Sequence, residues 1–556
     1  MKQLNIKTST AGLFFAVASL LIFYLLSIRQ QVYLPVSIFW AAVVVLLGTL
    51  VYQILGIKSS SPFTKLILIE IAVTSFVFCL IFQIPNYGLY GQDSYGDLYF
   101  AKGILFNGHI AVTSQYYSSY STFPILHIFS AMISMITAID LFSVAKWFPS
   151  FLSAGFVFIL YLLIRRILKD QKIALLSVLV YVCLENHILW GALFVRETYA
   201  LVLAVMCIYL YFTAIHSSHP RTYCALSILC LIITVFTHHL TSFLLMLFFL
   251  IHLLVTKALN FPFLRKVYFR DYIKGEKVTL TFLLIAVVAI LSYWTFIVTY
   301  PLETLISFGR DVFEIGKYGV GSYAVTNSLS ASSITTTRGN IIFYGFYFFY
   351  LIFCTILLYN IFSRREVHRT EIYSFTLFSL LSLFIGFVSL YLIPAYAFPD
   401  RYLNYGCLFG FPPLISAILI TKYKYLRRIG VFLLVAFILF NIYTLPPSLW
   451  SPRSGETSAT IVEAYAPSME DYALATALNF STGTILAPDD NLMSIFDVQN
   501  NLGTFYSSSN INLTNFDWII VQNEPNSTTL TMLSNSTEYN KIYDSNSLSV
   551  YKQQCK

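Results

Sequence analysis

Charge is what this 556-residue chain has least of: Asp, Glu, Lys and Arg make up 11% of it, against roughly 25% in a soluble globular domain. Hydrophobic residues reach 57% and the mean hydropathy is +0.72. An ordinary water-soluble globule is therefore excluded, and a chain that crosses a membrane many times is expected. Disulfide architecture is excluded as well. Seven of the eight cysteines fall inside apolar runs, which leaves Cys555 without a partner in the polar C-terminal part. Adjacent tryptophans are absent. No small-residue cleavage site follows the first apolar run, which reads as an anchor rather than a removed signal. Nothing suggests a nucleic-acid partner.

What is present is hydrocarbon-length apolar sequence. Runs long enough to cross a bilayer lie near 10–28, 34–55, 65–84, 146–167, 172–190, 194–215, 222–237, 240–256, 278–300, 341–361, 371–393, 402–421 and 429–447, about thirteen spans. With the N-terminus in the cytoplasm, the groups at Lys2/Lys7, Lys58/Lys65, Arg165/Arg166, Arg221, Lys257 to Lys277, Arg364/Arg365 and Lys422 to Arg428 all fall inside. That is what the positive-inside rule asks. The same choice makes 123–140 an outer juxtamembrane helix, because counting it as a span would export Arg165 and Arg166. From about Trp450 the chain turns polar, with eleven of the 26 acidic but only four of the 34 basic residues. This tail is expected outside as a small α/β domain, with a helix at 470–478, strands at 483–487 and 517–522, and a final hairpin around Lys541–Tyr543 and Leu548–Tyr551. Sequons at Asn479, Asn512, Asn526 and Asn535 weakly support that exposure.

The scarce charges gather at one interface. Asp93 and Asp97 lie in the first large outer loop, within Gly91-Gln92-Asp93-Ser94-Tyr95-Gly96-Asp97, ahead of a helix expected over Leu98–Asn107. Glu185 and His187 end one span, Arg196-Glu197 open the next, His238-His239 occupy a hairpin turn, and Asp400-Arg401 open another. Ionisable groups beside hydrocarbon are costly and mark function by default. A secondary transporter would place them near the midplane on two related halves, and no internal repeat is seen. An outer-face site built from loops and helix ends suits a reaction between a lipid-borne donor and an acceptor arriving from outside.

Asp93-Ser94-Tyr95, the following helix to Gly108-His109-Ile110, Phe123-Pro124-Ile125-Leu126-His127, and Lys146-Trp147-Phe148-Pro149-Ser150 through Arg165-Arg166 resemble the first outer loop and its flanks in the GT-C glycosyltransferases. That family includes protein O-mannosyltransferases, the lipid A aminoarabinose transferase and oligosaccharyltransferase catalytic subunits. The resemblance covers roughly 65–420 and is strongest over 85–215. It implies an all-α polytopic membrane fold, a polyprenyl-phosphate-linked sugar as donor, and an outer-loop Asp that assists the acceptor, the place Asp93 occupies. A positioned carboxylate can take the proton of a hydroxyl as it attacks the anomeric carbon, while Arg401 or Arg196 neutralises the phosphate leaving group. Asp97 departs from the family, where many members carry His near that place. It is open to three readings: a divalent cation (Mg or Mn) held with Asp93, orientation of the acceptor, or a solvated acid. Trp-Trp-Asp-Tyr-Gly, the oligosaccharyltransferase signature, is absent, so transfer of one sugar is expected over bulk oligosaccharide transfer.

Each of these residues also has a plain reading. Arg196-Glu197 can anchor a helix as an interfacial ion pair, Arg401 can snorkel, and two histidines fall short of a metal site. Loop 301–340 turns Gly-, Ser- and Thr-rich toward Arg338 and reads as a lid with Arg338 as a phosphate contact. The expectation is thus a prokaryotic cell-membrane glycosyltransferase of three parts: added helices in 1–64, a catalytic body in 65–449 with outer loops 85–145 and 301–340, and an extracytoplasmic domain in 450–556. Asp93 and Asp97 are the catalytic candidates, Arg401, Arg196 and Arg338 the donor-phosphate contacts, and Glu197, His238, His239 and Asp400 further substrate contacts. The acceptor is a lipid, glycan or protein. Alternatives are an oligosaccharyltransferase-like transferase of lipid-linked glycans, a non-catalytic glycan-binding membrane protein, or a transporter.

Overall fold

The computed structural model describes most of residues 2–299 apart from short breaks and the stretches 111–120 and 261–275, a few positions between 301 and 356, the helices 370–392, 399–420 and 424–443, and short strands beyond 484. Fifteen helices are described: α1 (Lys2–Arg29), α2 (Val36–Gly56), α3 (Phe63–Gln83), α4 (Gln92–Asn107), α5 (Ile125–Thr137), α6 (Leu141–Leu168), α7 (Gln171–Val182), α8 (Glu185–Ala192), α9 (Arg196–His216), α10 (Pro220–Val235), α11 (His239–Asn260), α12 (Glu276–Phe296), α13 (Thr370–Leu392), α14 (Pro399–Ile420) and α15 (Lys424–Tyr443). The part of the chain before the tail is an all-α polytopic membrane fold. Among the described residues nine helices are long and apolar enough to cross a bilayer, or ten if one bent pair counts as a span.

The remaining expected spans are those of which the structure describes only part. The run 341–361 lies outside the described residues. Of α13, the apolar part described is only Thr370–Gly386. In α15, side chains are described only at Tyr425 and over 427–442. The expected span 172–190 is the bent pair: α7 and α8 meet at 67°. The break falls at Cys183-Leu184, where Leu184 is extended (ψ 133°) and leads into α8. Between the spans, α5 is indeed a separate 13-residue helix, about 20 Å long and short of the roughly 30 Å of hydrocarbon.

Burial orders the bundle. The most apolar windows of α3 and α14 are 78% and 83% buried inside the protein, against 33% for α10 and α12. So α3 and α14 are central and α10 and α12 peripheral, with large apolar side chains such as Val288 and Phe296 of α12 facing outward, as a lipid-facing surface requires. The α1–α2 pair packs against α3. It is tied there by Gln53, whose amide donates to the fully buried Glu70 carboxylate at 3.4 Å, and by Lys172 Nζ, which donates to the Leu55 carbonyl at 2.9 Å.

In the tail four strands form one sheet in the order β1 (Ile485–Leu486), β2 (Trp518–Gln522), β4 (Leu548–Gln553), β3 (Tyr539–Asp544). β1 runs parallel to β2, while β2–β4 and β3–β4 are antiparallel. The strands and the final hairpin fall where the alternation of apolar residues places them. The helix expected at 470–478 lies outside the described residues.

Candidate functional site

The site begins with a glycine. Gly91, at φ +83°, turns the chain into α4 in a backbone conformation that L side chains rarely adopt. A Cβ there would also lie 2.7 Å from the Leu193 side chain. α4 therefore starts at Gln92, six residues earlier than Leu98, and ends at Gly108 in the left-handed region with its N–H on the Ile104 carbonyl. The motif expected as a loop is thus the first turns of a helix, which tolerates Gly96 within it. Asp93 sits in that first turn, where a carboxylate interacts favourably with the helix dipole. Asp93 is exposed and Asp97, one turn on, is buried.

Asp97 is the hub. Its Oδ1 lies 2.7 Å from His127 Nε2 of α5 and 3.0 Å from Arg196 Nε of α9. Its Oδ2 accepts the backbone N–H of Arg196 at 3.4 Å. Val195, at the N-cap of α9, offers no side-chain cap, so the carboxylate from α4 satisfies the start of α9 in trans. Ser94 does the same one step earlier, accepting the Phe194 N–H at 3.1 Å. Asp97 and His127 are each 1% exposed. Burial pushes the His127 imidazole below its usual range, although the hydrogen bond and charge of Asp97 pull it back up. Loss of water thus outweighs the carboxylate.

The next residue on α9 extends the network. Glu197 Oε2 lies 2.9 Å from Arg401 Nε at the start of α14, and the Arg401 guanidinium lies 4.9 Å from the centre of the Trp190 ring of α8. Arg196 and Glu197 are consecutive on α9, so the start of that helix joins the charge contacts of two guanidiniums from different helices. Each is matched by a carboxylate through charge contact at the Nε edge rather than an aligned hydrogen bond. The α10–α11 junction closes the far side. His238 Nδ1 lies 2.9 Å from Thr241 Oγ1, which lies 2.7 Å from the Tyr405 hydroxyl, and the His239 ring meets Phe123 at 5.5 Å. Burial first, then His239, Arg401 and Arg196, hold His238 well below its usual range, so the imidazole is neutral beside two cations.

The residues Asp97, Arg196, Glu197, His238, His239 and Arg401 are thus brought into one buried polar cluster at one end of the bundle, with Asp93 at its exposed margin. The Asp400 side chain and Arg338 lie outside the described residues. His187 is turned away from the cluster: its Nε2 lies 3.0 Å from Ser75 Oγ and 3.1 Å from Ser153 Oγ, between α3 and α6. Glu185 opens α8, its backbone N–H on the Asn441 side chain. Sequence reading did not find His127, Trp190 or Tyr405. His127 carried one legible signal, as the only ionisable group in an apolar run.

The Asp93–Asp97 pair does not fit a divalent cation in this arrangement. Asp97 already holds His127 and Arg196, and a metal on the same carboxylate would sit against the guanidinium. Among the described residues no group of three or more His, Cys, Asp or Glu is placed to hold a metal ion.

No family model matches the chain, and no curated protein matches it. Solved structures similar to it include the oligosaccharyltransferase of Archaeoglobus fulgidus tethered to an acceptor peptide containing the NVT sequon, with a TM-score of 0.48 and 12% identity over 79% of this chain and 63% of that one. The same archaeal enzyme with an inhibitory peptide and a dolichol-phosphate gives 0.47 and 12% over 79% and 64%. ArnT from Cupriavidus metallidurans bound to undecaprenyl phosphate gives 0.48 and 12% over 88% and 98%. This chain therefore spans less than two thirds of the archaeal enzyme's length. At this identity and score, the likenesses bear on neither its site nor its chemistry.

Proposed function

We propose that the protein is a glycosyltransferase that moves a sugar from a polyprenyl-phosphate-linked donor to an acceptor hydroxyl at the outer face of the membrane. The observation that carries the reading is that Arg401, fixed by the Glu197 carboxylate and the Trp190 face, joins the same polar cluster at one end of a membrane bundle as Arg196, fixed by Asp97. Two fixed guanidiniums at the rim of a bilayer suit an anionic headgroup on an apolar chain.

In the reaction Asp93 accepts the acceptor's hydroxyl proton as its oxygen attacks the anomeric carbon. The bond from that carbon to the phosphate oxygen breaks, and its electrons leave with the polyprenyl phosphate. Charge on the phosphate rises as the bond breaks, so a guanidinium already in place stabilises the transition state more than the ground state. Arg401 takes this part. Asp97 acts through Arg196, holding it by charge and capping its helix, and no step runs through a metal. His238 and His239 line the site.

Asp93→Asn tests the assignment. The change keeps the shape and removes the proton acceptor, so transfer should fall about 10²-fold or more while expression and membrane insertion stay normal. Near-parental turnover by the purified variant would remove Asp93 from the chemistry.

A further inference from the structure

Two hydroxyls at the edge of the polar cluster have no part in the transfer chemistry. Thr241, in the first turn of α11, lies between two groups: His238 Nδ1 at 2.9 Å and the Tyr405 hydroxyl of α14 at 2.7 Å. All three residues are buried. Tyr405 follows Arg401 by one helical turn, which puts both on the same face of α14. A chain of hydrogen bonds therefore starts near the guanidinium and ends on the imidazole.

Its direction is set by one backbone group. The Thr241 N–H also reaches His238 Nδ1, at 3.4 Å, and an N–H can only donate. Nδ1 is then an acceptor and bears no proton. The Thr241 hydroxyl meets that same lone pair, so it too must donate, and its oxygen accepts from the Tyr405 O–H. Burial first, then His239, Arg401 and Arg196, keep the ring neutral. A neutral imidazole with an accepting Nδ1 carries its one proton on Nε2. Among the described residues Nε2 makes no hydrogen bond, and it is not one of the polar atoms sealed inside the protein.

We infer that Thr241, oriented by Tyr405, locks His238 in the Nε2–H form, so that it offers an uncharged N–H to a hydroxyl oxygen of the lipid-linked sugar. The choice of ligand rests on the transfer reaction proposed above. With Arg401 on the phosphate, the group bonded to that phosphate is the sugar, and an N–H without charge suits a neutral oxygen. The same tautomer removes His238 as a general base, because its one lone pair is already held by Thr241. The acceptor's proton is left to Asp93.

Two measurements on the purified full chain test it. In the first, the chain labelled with nitrogen-15 histidine is compared by NMR with a His238→Gln variant labelled alike, so that the difference spectrum belongs to His238. Nδ1 should resonate as an unprotonated ring nitrogen and Nε2 as a protonated one, and Thr241→Val should add a population with the proton on Nδ1. The reverse assignment in the parent, or an unchanged spectrum in Thr241→Val, overturns the lock. In the second, transfer is followed with a polyprenyl-phosphate-linked sugar. His238→Ala should lower kcat/KM for this lipid about tenfold, and His238→Gln, which restores an uncharged N–H but cannot act as a base, should recover most of the loss. A glutamine variant as defective as the alanine variant overturns the sugar contact. Absence of transfer by the parent would overturn the reaction and the sugar contact with it, while the spectrum still decides the lock.

Discussion

Two arginines of the same cluster do different work. Arg196 is bound from two directions by one carboxylate, through its side chain and through its own backbone N–H, and is largely consumed in holding α4, α5 and α9 together. Arg401 is held by Glu197 at its Nε edge and by the Trp190 face, a geometry that fixes the plane of the guanidinium. Arg401→Lys keeps one positive charge but has neither the fork nor the flat surface. Losing one charge-assisted hydrogen bond costs about 1.5–3 kcal/mol, so kcat/KM for the donor should fall roughly tenfold or more. Acceptor dependence and thermal stability should change little. Donor and acceptor titrations of the purified variant separate the cases: a defect confined to the acceptor reassigns Arg401, and no defect reduces it to an interfacial anchor.

At the scale of elements, hydropathy alone placed nearly every span and the strands of the tail, because apolar run length and alternation are local properties of sequence. It missed what depends on tertiary contact. The start of α4 is set by Gly91 meeting Leu193, a residue about one hundred positions away. Asp97 looked ambiguous because its meaning lies in His127 and Arg196, which belong to two other helices. The break between α7 and α8 was hidden in one continuous apolar run, and what fixes α8 is the knot of Ser75, Ser153 and His187. Gly191 packs against that knot: a Cβ there would meet Ser153 Oγ at 2.7 Å and Cys79 Sγ at 2.9 Å. Gly191→Ala should therefore destabilise the protein by about 1–3 kcal/mol through overpacking. Gly103→Ala in α4, where a Cβ meets nothing within 4 Å, should be neutral or stabilising by up to about 1 kcal/mol. Thermal unfolding of both variants in the same detergent checks the contrast, and an unchanged midpoint for Gly191→Ala would show that α8 is not held by the knot.

For the whole molecule the decisive question is which way it sits in the membrane, and structure and sequence answer different halves of it. α6 is one uninterrupted span that follows α5 at its start and carries Arg165 and Arg166 in its last turn. The polar cluster and that arginine pair must then lie on opposite sides of the bilayer, whatever the absolute direction. The absolute direction comes from charge: cytoplasmic loops hold the excess of Lys and Arg, and here Arg166, Lys266, Arg365 and Lys424 fall in loops of one sidedness when the spans are counted from a cytoplasmic N-terminus. The acidic tail beyond Trp450 then falls on the outer side with Asp93 and Arg401. Single cysteines at 109, 166, 266, 365, 424 and 470, in a background without native cysteines, should react with a membrane-impermeant maleimide in intact cells only at 109 and 470. Labelling at 166 and 109 together would break the opposition that α6 imposes. A complete reversal, with 166 and 266 labelled and 109 protected, would keep the fold but move the cluster to the cytoplasmic face, where an outer-face transfer reaction could not take place.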